Sequence, residues 1–255
     1  MVELKTDASI DAMYEAGQVV ARALTALREA AGVGVSLLEL DALARDILRE
    51  AGATSPFLGY RPAFAPMPFP GVLCASVNDA IVHGVPTRYR LRDGDLLSLD
   101  FGAELGGWVG DSALSLVVGR ARPADLRLIE TAERALASGI EAAVVGNRIG
   151  DIAHAIGSVC RAAGYGIMDG FGGHGIGRRM HEDPGVPNEG RPGRGLPLRP
   201  GMVLAIEPML IAGGTDGYRT APDGWTLHTT DGTRAAHAEH TVAITKTGPR
   251  ILTQR

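Results

Sequence analysis

Residues 95–118 read DLLSLDFGAELGGWVGDSALSLVV, and this stretch decides the fold. Positions 95–101 and 108–118 alternate as two strands joined across Gly106-Gly107, the pattern of an antiparallel hairpin. Two carboxylates are out of place in it. Asp100 ends the apolar run Leu96-Leu97-Ser98-Leu99, and Asp111 follows eleven residues later on the return strand, so both can lie side by side at one sheet face. Carboxylates so placed repel each other and raise one pKa unless a cation sits between them.

Outward from the hairpin, helices and strands alternate in blocks. Before it, Met13, Ala16, Val20, Ala23, Leu24 and Leu27 recur at three and four residues, predicting a helix over 10–30 capped by Asp7 or Ser9. Ser36-Leu37-Leu38-Glu39 has the form of a capping box and opens a second helix that ends at Gly52. A Pro-rich loop and short strands at 72–78 and 80–83 lead into the hairpin. After it, helices are expected at 124–144 and 149–163. Gly-rich strands follow, then one at 202–211 and a final pair around 225–229 and 238–246. Two blocks of helix pair then strands, about 10–120 and 121–250, predict a single α+β domain built from related halves. Each half would place its helices on one face of a shared antiparallel sheet and leave a crevice between them.

Composition narrows the functions. A chain of 255 residues, 45% of them hydrophobic, can bury a sizeable core. Lys+Arg 25 against Asp+Glu 29 gives a net charge of −4 with no basic run, so no direct nucleic-acid recognition is expected. Two cysteines, Cys74 and Cys160, cannot staple a chain this long, and no signal-peptide pattern opens it. A reduced, cytoplasmic protein is expected. Charged residues interrupt every long apolar stretch, so no membrane span is predicted.

Three more residues resemble Asp100 and Asp111 in being costly where they stand. Glu207 ends the apolar run Met202-Val203-Leu204-Ala205-Ile206, His174 sits in Gly172-Gly173-His174-Gly175-Ile176-Gly177, and Glu239 opens the last strand in Ala238-Glu239-His240-Thr241. Singly, each has an ordinary reading as a turn, edge or loop residue. Together, at strand ends in both halves, they point to one shared site. Four carboxylates and an imidazole suit divalent first-row metals such as Mn, Fe, Co or Zn, and that much converging charge argues for two ions. Paired ions would generate a nucleophile and polarise a carbonyl, which is hydrolytic chemistry.

These residues belong to a longer ordered series: Cys74 through His83-Gly84-Val85-Pro86, Leu99-Asp100-Phe101-Gly102, Gly110-Asp111-Ser112, Gly173-His174-Gly175, Met180-His181-Glu182-Asp183-Pro184, Ile206-Glu207-Pro208 and Glu239-His240-Thr241. The series resembles the motifs of type I methionine aminopeptidases over about residues 10–250. The resemblance implies the duplicated "pita-bread" fold with a dimetal site between its halves. It implies Asp100, Asp111, His174, Glu207 and Glu239 as ligands of two divalent ions (Co, Mn, Fe or Zn), with Asp111 and Glu239 bridging. It implies His83 and His181 as unliganded active-site histidines contacting the scissile peptide, and Glu207 as the proton relay. Tyr60, Cys74, Met180 and Trp225 would line the methionine pocket. The implied activity is removal of initiator methionine from new chains whose second residue is small, the free α-amine on one metal fixing the cut at the first peptide bond. The partner is then a peptide or nascent-protein N-terminus and the enzyme a monomer. Transient ribosome contact fits such a role, although no motif encodes it.

The series departs from the family at Met180, where Phe is usual, and at Ala236-His237-Ala238, where Ala-Gln-aromatic is usual. His237 would replace the lost donor or add a ligand. Two alternatives therefore stand beside the main reading: a paralogue with altered first-residue specificity, including an X-Pro type peptidase, and a pita-bread protein that binds without cleaving. Proline-specific members usually carry an extra N-terminal domain for which this chain has no room.

Overall fold

Gly106 and Gly107 both take positive φ, 59° and 77°. Two successive left-handed residues reverse the chain at once with a twist that suits the flanking strands. The computed structural model describes residues 2–63 and 65–255. Two helices, α1 (Asp7–Ala30) and α2 (Leu37–Ala51), precede β1 (Cys74–Val77), β2 (Ala80–Val82), β3 (Leu96–Leu105) and β4 (Trp108–Val117). A second helix pair, α3 (Pro123–Ala142) and α4 (Ile149–Ala162), precedes β5 (Gly166–Ile167), β6 (Gly172–Gly175), β7 (Glu182–Pro187), β8 (Val203–Ile206) and β9 (Met209–Ile211). The chain closes with β10 (Tyr218–Thr220), β11 (Leu227–Thr229), β12 (Ala235–His237), β13 (Glu239–Thr245) and β14 (Gly248–Ile251). Glu239 thus opens the last strand but one.

The architecture is α+β. An antiparallel sheet runs β1-β3-β4-β13-β8-β6-β7 with β14 beside β13, and two three-stranded sheets, β10-β11-β2 and β12-β9-β5, flank it. Helix α1 starts on Thr6, whose hydroxyl accepts from the Ser9 N–H, rather than on Asp7 or Ser9. It packs across β3 and β4 through Met13, Val20, Leu24 and Leu27, all fully buried. Each leucine so buried contributes roughly 1.5–3 kcal/mol. The Ser36–Glu39 capping box forms as expected and Gly52 ends α2 in the left-handed region at φ 64°. One apolar core gathers α1, α2, β1 and β3, and a second gathers α3, α4 and β8. Among the described residues no helix is long and apolar enough to cross a membrane.

Two expectations change. The strand at 202–211 is broken, β8 ending at Ile206 and β9 starting at Met209, because Pro208 has no N–H to give a ladder. The chain steps there from the large sheet to a small one. Positions 225–229 and 238–246 also do not pair: β11 joins β10 and β2, whereas β13 joins β4, β8 and β14.

Candidate metal centre

Strand register builds the site. Asp100 stands opposite Ala113 and Asp111 opposite Gly102. Ala113 in turn stands opposite Glu239, and Ala205 stands between Thr241 and His174. Opposed residues share a face, as do alternate residues along a strand. Asp100, Asp111, Glu239 and His174 therefore rise from one face, and Ala113 and Ala205 leave room between them. Asp100 and Asp111 are diagonal neighbours inside long strands, not at strand ends as the apolar run suggested. Gly102 matters for a different reason. A Cβ there would meet Pro56 at 2.8 Å and Phe57 at 2.9 Å, so its bareness lets the loop at 55–57 close over β3.

Glu207 enters from the break before β9. A second strand switches sheets beside it, where the Ala238 N–H donates to the Pro208 carbonyl between β12 and β13. These adjacent crossings bring Glu207 against both Glu239 and His237. His174 Nε2 lies 3.5 Å from Glu207 Oε1 and 4.0 Å from Asp111 Oδ2. Ligand atoms of Asp111, His174 and Glu239 all lie within 4.8 Å of one another, and so do those of Glu207, His237 and Glu239.

The electrostatics call for a cation. Among the described residues, none of the four carboxylates pairs with Lys or Arg, and one oxygen each of Asp100, Asp111 and Glu239 is buried with no hydrogen-bond partner. Burial and then neighbouring carboxylates raise Asp100 and Glu239 well above the carboxylate range, Glu207 likewise by burial and Asp111. Burial pushes Asp111 up to about 7. His174 Nδ1–H donates to the Gly175 carbonyl at 2.9 Å, which leaves the Nε2 lone pair facing the acids. Burial, and next the nearby His181, hold His174 down to about 3, so the ring is neutral and free to ligate. Hard oxygens with one imidazole fit a divalent first-row ion.

A cavity of about 390 Å³ opens above this floor. The eleven site residues that the resemblance implied all line it, Asp100, Asp111, His174, Glu207 and Glu239 below, His83 and His181 at the sides, and Tyr60, Cys74, Met180 and Trp225 in the wall, whereas His237 does not. Sequence reasoning missed Phe57, Phe69 and Phe171, which complete the wall. They sit in Gly/Pro-rich loops without periodicity, so only their aromatic character marked them. His83, at φ 58°, holds a left-handed conformation rare for a side chain with Cβ, a strain typical of functional positions. Its ring meets the edges of Phe171 and Trp225 at 5.9 and 6.1 Å. Burial and then His181 lower its pKa to about 4. His181 stands at the cavity mouth, stacked on Tyr60 with centroids 5.2 Å apart and 4.3 Å from the His174 ring.

The loop carrying His181 is anchored from far away. Lys5 Nζ lies 2.6 Å from Glu182 Oε2, with side chains only 3% and 9% exposed, and the Lys5 N–H donates to the Gly201 carbonyl. Lys5→Met strands the Glu182 charge without its partner. Urea unfolding should show a loss of about 3–5 kcal/mol, and an unchanged midpoint would mean that the pair holds nothing.

The profile of metallopeptidase family M24 matches residues 11–246. The chain belongs to this family. This M24 chain is 52% identical over 260 residues to methionine aminopeptidase 1 of Mycobacterium tuberculosis, covering 99% of this chain and 95% of that protein. Its structure superposes on the methionine aminopeptidase of Thermotoga maritima with a TM-score of 0.95 and 36% identity, covering the whole of both chains. The fold is the pita-bread fold of M24. A prolidase from Pyrococcus furiosus shares that fold at a TM-score of 0.77 and 23% identity, with this chain spanning 65% of it.

Proposed function

We propose that this M24 chain is a methionine aminopeptidase that removes the first methionine from peptides and new proteins with a small second residue. The observation that carries the reading is the joining, in one cavity of about 390 Å³, of a carboxylate–imidazole floor with an apolar and sulfur-bearing wall. Full-length identity to methionine aminopeptidases supports it over the X-Pro and non-cleaving alternatives.

Asp100, Asp111, His174, Glu207 and Glu239 would hold two divalent ions; Mn, Fe, Co and Zn all suit these donors. Bound there, such ions lower the pKa of water and polarise the scissile carbonyl. The protein supplies the rest. Phe57, Tyr60, Cys74, Met180 and Trp225 enclose one long, unbranched apolar side chain and exclude water around it. Glu207 takes the proton of the attacking water and passes it to the leaving amine. His83 and His181 donate hydrogen bonds to the scissile peptide, and His181, at the mouth, meets the carbonyl oxygen as charge develops on it. We also read residues 10–120 and 121–250 as related halves of one catalytic domain, a reading supported by the repeated order of helix pair then strands.

The test uses chelator-stripped protein reloaded with Mn(II), Co(II), Fe(II) or Zn(II) and given Met-Ala-Ser, Ala-Pro-Ala and Leu-Ala-Ser. Release of Met alone, and only with metal, is expected. Release from Ala-Pro-Ala would move the assignment to the X-Pro class. Cleavage of none with ions bound would make it a binding protein.

A further inference from the structure

One buried side chain at the centre takes no part in the chemistry above. His237 is 2% exposed and its Nε2 has no hydrogen-bond partner. That atom points between two carboxylates, 3.5 Å from Glu207 Oε2 and 3.9 Å from Glu239 Oε2. The aim is built in, because the His237 N–H donates to Ser115 Oγ at 3.0 Å and its carbonyl accepts from the same hydroxyl at 2.8 Å. Ser115 of β4 thus clamps the β12 backbone while the ring crosses to the site where two strands change sheets.

The two oxygens of Glu207 face different histidines. Oε1 lies 3.5 Å from His174 Nε2, whose lone pair is bare because its other nitrogen donates to Gly175. Oε2 faces His237. Oε1 can share an ion with His174, and the atom that Oε2 faces is His237 Nε2, a nitrogen able to donate. We propose that His237 is a positioning residue of the metal centre, its Nε2–H donating to Glu207 Oε2 so that Oε1 is held toward the ion beside His174. The 3.5 Å separation exceeds a formed hydrogen bond by a few tenths of an ångström. Rotation about the soft terminal torsion of Glu207 closes it. The inference rests on the reading of the cluster as a metal centre. It adds a residue whose action on the ion runs through another side chain.

The experiment compares metal-stripped wild type with His237→Ala, His237→Leu and His237→Gln. Calorimetric titration with Mn(II) reads affinity, and pulsed EPR of the bound Mn(II) reads how many histidine nitrogens touch it. His237→Ala should bind Mn(II) about 10–100-fold more weakly, and His237→Gln, which keeps a donor, within about threefold of wild type. All should show a single coordinated histidine. His237→Leu fills the volume without a donor and carries the same expectation if the alanine variant does not fold. Unchanged affinity in the Ala and Leu variants would overturn the proposal. So would a second coordinated nitrogen in wild type that both Ala and Gln abolish, which would make His237 a direct ligand. If wild type binds no Mn(II), the metal-centre reading fails first; if it binds ions and releases Met while His237→Ala loses nothing, only the role of His237 fails.

Discussion

Glu239→Ala should lower turnover at least about a thousandfold, since the several kcal/mol that bound ions contribute to such hydrolysis depend on their being held. Glu239 stands within 4.8 Å of Asp111 and His174 on one side and of Glu207 on the other, so its removal takes a donor from the middle of the whole cluster. Metal content after dialysis should fall with kcat, and near-wild-type turnover would sink the assignment. The effect on stability should run the other way. Burial first, then Asp111, Glu207 and Asp100, hold the Glu239 carboxyl well above its ordinary 4.5, and burial takes Asp111 from 3.8 to about 7. A carboxyl whose pKa is raised on folding binds more protons folded than unfolded between those two values. The ion-free protein therefore loses stability as pH rises through that window, from near 4 to near 7. Deleting one such group relieves the remainder. Ion-free Glu239→Ala should melt at or above ion-free wild type at neutral pH, while added divalent ions should raise the melting temperature of wild type far more than that of the variant. A variant that melts well below wild type in the ion-free state would contradict this account of the acids.

His181→Ala should separate chemistry from metal binding. The ring meets the floor at His174, 4.3 Å between centroids, and the wall through its stack on Tyr60. It supplies no member of either donor triad. The variant should bind ions as wild type does and keep its unfolding midpoint, because the side chain lies at the open mouth, where truncations usually cost within about 0.5 kcal/mol. Loss of one donor to a developing oxyanion costs about 10²–10³ in kcat. Turnover should fall by that factor with KM little changed, and His181→Asn should recover part of it. Weakened metal binding would show instead that His181 supports the floor, and unchanged turnover would remove it from the mechanism.

Much of this protein is legible along the chain because its signals are local. Alternation over 95–101 and 108–118, two glycines at the turn, and the Ser36–Glu39 box each act within a few residues, and the structure forms the hairpin, with β3 running on to Leu105, the turn and the box. The floor of the site was legible for a related reason: an ionisable residue in an apolar strand is expensive wherever the strand is buried, so Asp100, Asp111, Glu207 and Glu239 marked themselves. What tertiary structure alone decided is where side chains converge from distant segments. Lys5 reaches Glu182 across 177 positions, Phe57 and Phe69 from the connection between α2 and β1 meet Phe171 from the loop before β6 around one cavity, and His237 faces Glu207 because two strands change sheets side by side. Sequence by itself determined which residues needed partners, since burying charge is costly whatever the fold. Only the register of the sheet and the break at Pro208 decided which atoms those partners would be, because direction in space is set by long-range pairing that no short window of sequence contains.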